Sequence, residues 1–188
     1  MPADETPLIP RDIYQTWKTK DQSRMERPMR RWLASWPKQN PGHRIHLYDD
    51  ADCLEFMQSH QPQHLETYLA LNPVERSDFW RYLVILTFGG IYTDADTICK
   101  KPLADWMQAG DEAVIGIDGD YLNKYPNWVP EGHVMSGGAY NFNHSWHDNV
   151  VAFSNWTFAA RPNHPILSEV ARRIEINVTD PFFTDRAP

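Results

Sequence analysis

Apolar residues recur along this chain in two rhythms. From Met25 to Pro37 they fall at helical spacing, with Met29, Trp32, Leu33 and Trp36 on one face. Two stretches alternate instead and predict strands. One is Ile9 to Lys18, around Ile13 and Tyr14, and the other is His43 to Asp50, around Ile45 and Leu47. Pro41-Gly42 marks the turn between the first helix and the second strand. A helix capped near Asp49 or Asp50 then runs to about His60, and a short one covers Leu65 to Leu71. The next helix is apolar nearly all round, through Phe79, Trp80, Tyr82, Leu83, Val84, Ile85, Leu86 and Phe88. A helix of that kind is buried. Asn72 is its N-cap, Pro73 fits the first helical position, and Glu75 closes a capping box. Gly89-Gly90 ends it and a short strand follows.

Further on, Lys101-Pro102 opens a turn and a short helix with Leu103 and Trp106. Glu112 to Asp120 reads as a strand with Val114 and Ile115 in the core. Tyr121 to His147 has no period, and loops of that length are functional or flexible. Pro165 to Ile176 reads as a helix with Ile166, Leu167, Val170 and Ile174 inward. Residues 1–8 form a polar lead-in, and residues 9–188 are expected to make one domain. Strand, helix, strand, helix in this order predicts an α/β sandwich with a largely parallel sheet. Such sheets bind ligands at the carboxyl ends of their strands.

Asp94 and Asp96 stand where such an end would be. In an extended segment, positions two apart point the same way, and Ala95 points to the other face. Two carboxylates aimed at one point bind a hard divalent cation through oxygen. The bland alternative is a solvated turn. Upstream, Asp78 and Arg81 lie three apart on one face of the buried helix. Ionised groups there need partners. They form either a structural ion pair or a pair facing a cleft that holds a polar ligand. Asp118 precedes a glycine, where an aspartate is commonly a turn former. The loop histidines His133, His144 and His147 lack zinc-like spacing.

Charge narrows the classes. The chain has 188 residues, 18 basic against 25 acidic, and a formal charge of −7, with no basic run. That balance argues against a nucleic-acid partner. Arg24, Arg27, Arg30 and Arg31 read as one solvated helix face. No apolar run has membrane length and no signal peptide is visible. Cys53 and Cys99 make no framework, and sequence leaves open whether they pair. Asn143, Asn155 and Asn177 head sequons compatible with a secretory lumen, although Asn155 precedes a tryptophan expected to be buried.

The stretch SDFWRYLVILTFGGIYTDADTICKKPLADW resembles the central signature of the DXD-containing glycosyltransferases of family 32, in particular their initiation-specific alpha-1,6-mannosyltransferase group of the fungal Golgi. Clostridial glucosylating toxins share a more distant form. The pattern is a helix with Asp-x-x-Arg, two glycines, an aromatic and Asp-x-Asp, here Asp78, Arg81, Gly89, Gly90, Tyr92, Asp94 and Asp96. Trp156-Thr157 before His164-Pro165 also resembles that group. VTDPFFTD departs from it, because Asp180 and Phe182 replace two glycines.

The resemblance implies a GT-A-like nucleotide-diphospho-sugar transferase fold, with a mixed, mostly parallel sheet flanked by helices. It implies an enzyme that moves a hexose, mannose from GDP-mannose, onto a glycan acceptor with retention, as in protein glycosylation. Asp78 and Arg81 would hold donor sugar hydroxyls. Asp94 and Asp96 would face the ribose, the diphosphate and Mn2+ (or Mg2+). Tyr92 belongs to the same donor motif. Trp17 matches the position where an aromatic stacks on the donor base, and its other reading is a core tryptophan. Asp118 matches an acid that would face the reacting sugar or the acceptor. Tyr125, Trp128, Tyr140 and Trp146 would shape the acceptor site. A Golgi lumen location would follow, by way of a membrane anchor absent from this chain; a bacterial origin would make it cytoplasmic. The family pattern continues for several tens of residues more, so a missing carboxy-terminal part is expected. A non-catalytic carbohydrate- or nucleotide-sugar-binding relative and a metal-dependent hydrolase are the rival readings. Oligomeric state is left open.

Overall fold

A pair of glycines sets the path of the chain through its core. Gly89 has φ +66° and Gly90 φ +109°, conformations that a side chain resists. A Cβ at Gly90 would lie 2.6 Å from the Asp12 carbonyl oxygen, and one at Gly89 would lie 2.6 Å from Pro162 Cδ. The strand after the glycines can therefore slide in directly beside the first strand. The structure, a computed structural model, describes residues 7–120 and 151–179, except for the side chains of residues 118–120 and 151–152.

The elements run β1 (Asp12–Thr16), α1 (Arg27–Gln39), β2 (Arg44–Tyr48), α2 (Asp50–His60), α3 (Leu65–Ala70), α4 (Pro73–Phe88), β3 (Gly90–Thr93), β4 (Ala113–Asp120), β5 (Val151–Ala160) and α5 (Pro165–Thr179). The sheet order is β2-β1-β3-β5-β4. β1 is parallel to both β2 and β3, while β3 and β5 are antiparallel. The sheet is thus mixed, as expected for this fold class. Pro10 shortens β1 relative to its predicted span, since a proline donates no ladder bond. Pro28 sits in the first turn of α1, where its missing N–H costs nothing, and the helix passes Pro37 to end at Gln39.

The described residues divide into two compact units, one over 7–114 and 156–179 and a smaller one over 115–120 and 151–155. In the larger unit, helices cover both faces of the sheet. One face packs Tyr14, Tyr92, Phe158 and Ala160 against α2, α4 and α5, with Trp80 and Phe79 fully buried. The other packs Ile13, Ile91 and Ala159 against Trp36 of α1, with Leu103 and Cys99. Within the smaller unit, Ile115 is 36% exposed rather than core. On α5 the buried positions are Leu167 and Ala171, while Ile166 is 49% exposed. His164 precedes that helix, its Nδ1 accepting the Ile166 N–H at 3.3 Å.

Cys53 and Cys99 are both free and buried, in separate core clusters. No helix among the described residues is long and apolar enough to cross a membrane. The aromatic and histidine positions expected between Tyr121 and His147 lie outside the described residues, as do Asn143, Asp180 and Phe182. Gly90→Ala should lose about 2 kcal/mol or more of folding stability, from strain plus the contact with Asp12, measured by urea unfolding.

Candidate functional site

The start of α4 is set by its cap. Asn72 Oδ1 accepts the N–H groups of Val74 and Glu75, and Glu75 Oε2 accepts that of Asn72. With its start fixed and its apolar sides buried, α4 holds Arg81 against the sheet. The Arg81 side chain is 8% exposed. Its guanidinium lies 2.8 Å from Asp78 Oδ1 and 3.3 Å from Asp94 Oδ1. It also sits 4.9 Å over the ring of Tyr92. A buried cation needs this much compensation. The structural-pair reading holds: Arg81 pairs with Asp78 on its own helix and also with Asp94 at the carboxyl end of β3.

Tyr92 is fully buried below Asp94. Its hydroxyl donates to Asp94 Oδ1 at 2.7 Å, so the Thr16 hydroxyl, 3.3 Å away, donates to Tyr92 in turn. Burial pushes the Tyr92 phenol well up, which keeps it protonated and donating. Through this pair the carboxyl ends of the adjacent strands β1 and β3 are joined.

The Asp-x-Asp segment is a turn rather than an extended strand. The Thr97 N–H donates to the Asp94 carbonyl at 3.2 Å, and the Asp94 N–H donates to the Trp156 carbonyl at 2.9 Å. Ala95 still points inward, 1% exposed, into a cluster with Met25, Met29 and Leu33. Asp96 is exposed and Asp94 is half-buried. Burial raises the Asp94 carboxyl, Arg81 and the Tyr92 bond oppose this, and the charges of Asp96 and Asp78 add to it. Asp78 is likewise raised by burial, against the pull of Arg81.

This is an oxygen-donor corner with carboxylates in excess of the buried cation. Such a donor set fits a hard divalent cation. Among the described residues, no group of three or more His, Cys, Asp or Glu is placed to hold a metal. The corner therefore suits a cation that takes its remaining ligands from water and phosphate.

The structure brings Asp78, Arg81, Tyr92, Asp94 and Asp96 together. Trp17, at the end of β1, is half-buried against Met25, Met29 and Leu33, and its backbone N–H donates to the Tyr48 carbonyl. Asp118 falls in β4 and its side chain lies outside the described part. Sequence reasoning passed over Thr16 and the threonines around the turn; their only signal is a hydroxyl on either side of the motif, at 93 and 97. It also expected Trp156 to be buried, whereas Trp156 is 39% exposed and its role at the turn is played by its carbonyl.

Residues 27–113 match the family described as glycosyltransferase sugar-binding region containing DXD motif. The chain is 26% identical, over 92% of its length and 44% of the relative's, to an initiation-specific alpha-1,6-mannosyltransferase of Candida albicans. It is 30% identical, over 88% of its length and 39% of the relative's, to a protein of the same name from Schizosaccharomyces pombe. It thus spans less than half of each of these curated relatives. Among solved structures it is similar to the PaToxG glycosyltransferase, with TM-score 0.58, 19% identity and coverage of 95% of this chain and 63% of that one. At that identity the likeness shows the fold, a GT-A-like mixed sheet flanked by helices.

The raised carboxyl of Asp94 gives a pH prediction. A group that binds its proton more tightly when folded costs stability as pH rises from its usual value of 3.8 through the folded one. Without metal, Asp94→Asn should be at least as stable as the parent chain at pH 7. The difference should close as pH falls towards 4, followed by melting temperature against pH.

Proposed function

We propose that this chain, whose residues 27–113 belong to the DXD-containing glycosyltransferase sugar-binding family, binds GDP-mannose with a divalent cation and transfers mannose to a glycan hydroxyl with retention. The observation that carries this reading is the buried Arg81, joined to Asp78 and Asp94 beside the exposed Asp96. The names of the mannosyltransferase relatives support the sugar. Asp94 and Asp96 would hold the cation, Mn2+ or Mg2+. Bound there, it neutralises the diphosphate and stabilises it as a leaving group.

The chain's own residues do the rest. Asp78 accepts from sugar hydroxyls, and Arg81 donates to the sugar or phosphate while keeping Asp94 in place. Tyr92 reaches the donor only through Asp94, because it is fully buried. Trp17 lies at the carboxyl end of β1, where its exposed part can meet the base, and Asp118 is a further candidate donor contact. Orientation and charge stabilisation account for catalysis in this scheme. No side chain is assigned as a covalent nucleophile. A Golgi lumen location, with a membrane anchor on a longer protein, is part of the same reading.

The test is transfer from labelled GDP-mannose to a mannose oligosaccharide with Mn2+. Acceptor-dependent labelled product is expected. Asp96→Asn, an exposed position that should fold normally, should cut the rate at least about 100-fold, equivalent to roughly 2.7 kcal/mol. Donor breakdown that ignores the acceptor would make the protein a hydrolase. Donor binding with neither reaction would make it a non-catalytic binder.

A further inference from the structure

A second network holds the Asp-x-Asp turn from the face opposite Tyr92. Thr97 Oγ1 donates to the Asp94 carbonyl at 2.6 Å. Thr93 Oγ1 lies 2.8 Å from Thr97 Oγ1 and 2.9 Å from Thr157 Oγ1, and Thr93 and Thr157 are paired across β3 and β5. Each hydroxyl has one proton, which sets the direction of the chain. Thr97 gives its proton to the Asp94 carbonyl, so Thr93 donates to Thr97. Thr157 has two acceptors within reach of its one proton, Thr93 Oγ1 and the Trp156 carbonyl at 2.8 Å. The Trp36 indole N–H, from α1, reaches both the carbonyl and the hydroxyl oxygen of Thr97 at 3.3 Å.

The segment that follows is stitched to the same helix and its cap. The Cys99 N–H donates to Ser35 Oγ at 2.9 Å, and the Leu103 N–H to Asn40 Oδ1 at 2.8 Å. Thr93 is fully buried, while Thr97 and Thr157 are half-buried, so losing the Thr97 hydroxyl deprives a buried hydroxyl of its acceptor. Both sides of the turn are thereby held. The carboxylate of Asp94 is oriented by Tyr92 and Arg81, and its carbonyl by Thr97. Among the described residues Asp96 makes no comparable contact, and the backbone of the turn sets its position.

We propose that Thr97 is a positioning residue for the cation and diphosphate: its hydroxyl, backed by Thr93, Thr157 and Trp36, locks the turn that presents Asp96 beside Asp94. The inference rests on the donor-site reading above. A turn locked before ligand arrives spares the ordering cost on binding.

Two variants separate the hydroxyl from the packing. Thr97→Val keeps the shape and loses the hydroxyl, whereas Thr97→Ser keeps the hydroxyl and loses a methyl. Two readouts are taken on each: amide hydrogen exchange of the segment 93–99 without ligand, and calorimetric titration of GDP in the presence of Mn2+. Thr97→Val should exchange at least about 10-fold faster in this segment and bind GDP about 10-fold more weakly. Thr97→Ser should stay within about twofold of the parent in both. Normal exchange and affinity in Thr97→Val would overturn the proposal. So would a Thr97→Ser variant as impaired as Thr97→Val, because packing rather than the hydroxyl would then be responsible. Fast exchange in Thr97→Val with no GDP bound by the parent chain would overturn the claim that the turn serves this ligand and the donor-site reading with it, while leaving the network itself intact.

Discussion

A guanidinium buried at the carboxyl end of the central strand is the constraint to which the rest of this structure answers. Arg81 is carried inward by a helix with few polar sides, and a buried charge with no partner there is costly. Asp78 compensates it from within the helix, and Asp94 from the end of β3. For Asp94 to arrive, the chain must reverse sharply after α4 and run hard against β1. That is what the two positive-φ glycines allow. Helix, glycine pair, strand and turn are thus parts of one electrostatic solution. Among the described residues, Asp78 and Asp94 share the buried Arg81, and the charge of the exposed Asp96 acts on Asp94 as well. Burial and mutual repulsion raise Asp94, and a divalent cation would relieve both.

What sequence reasoning reached follows from range. The capping box of α4, the buried helix, the Asp78–Arg81 spacing and the inward Ala95 all depend on residues a few positions apart, and the structure has each of them. The inward turn of Ala95 was anticipated for an incomplete reason. A strand and this turn both separate the middle residue from its neighbours, but only the turn needs Thr97. The Arg81–Asp94 contact spans 13 positions and was legible only through the motif as a whole. The threonine network was not legible, because Thr93–Thr157 and Trp36–Thr97 are separated by 64 and 61 positions and a lone threonine carries no local sign of its partner.

Errors of burial have a physical pattern as well. Ile115 and Ile166 are expected inward on apolarity alone, and each has an adjacent residue that takes the core position. Val114 packs with the core beside Ile115, and Leu167 beside Ile166. Apolar residue type gives a tendency to burial, whereas pairing and capping decide which of two neighbours turns inward.

The central claim is that Asp94 and Asp96 hold a divalent cation against a nucleotide diphosphate. A crystal of this chain grown with GDP and Mn2+, with data collected for the anomalous signal of manganese, tests it most directly. The account predicts one strong anomalous peak bonded to carboxylate oxygens of Asp94 and Asp96 and to the diphosphate, at the carboxyl end of β3. A nucleotide bound there with no manganese at these carboxylates, or manganese bound elsewhere, would contradict it.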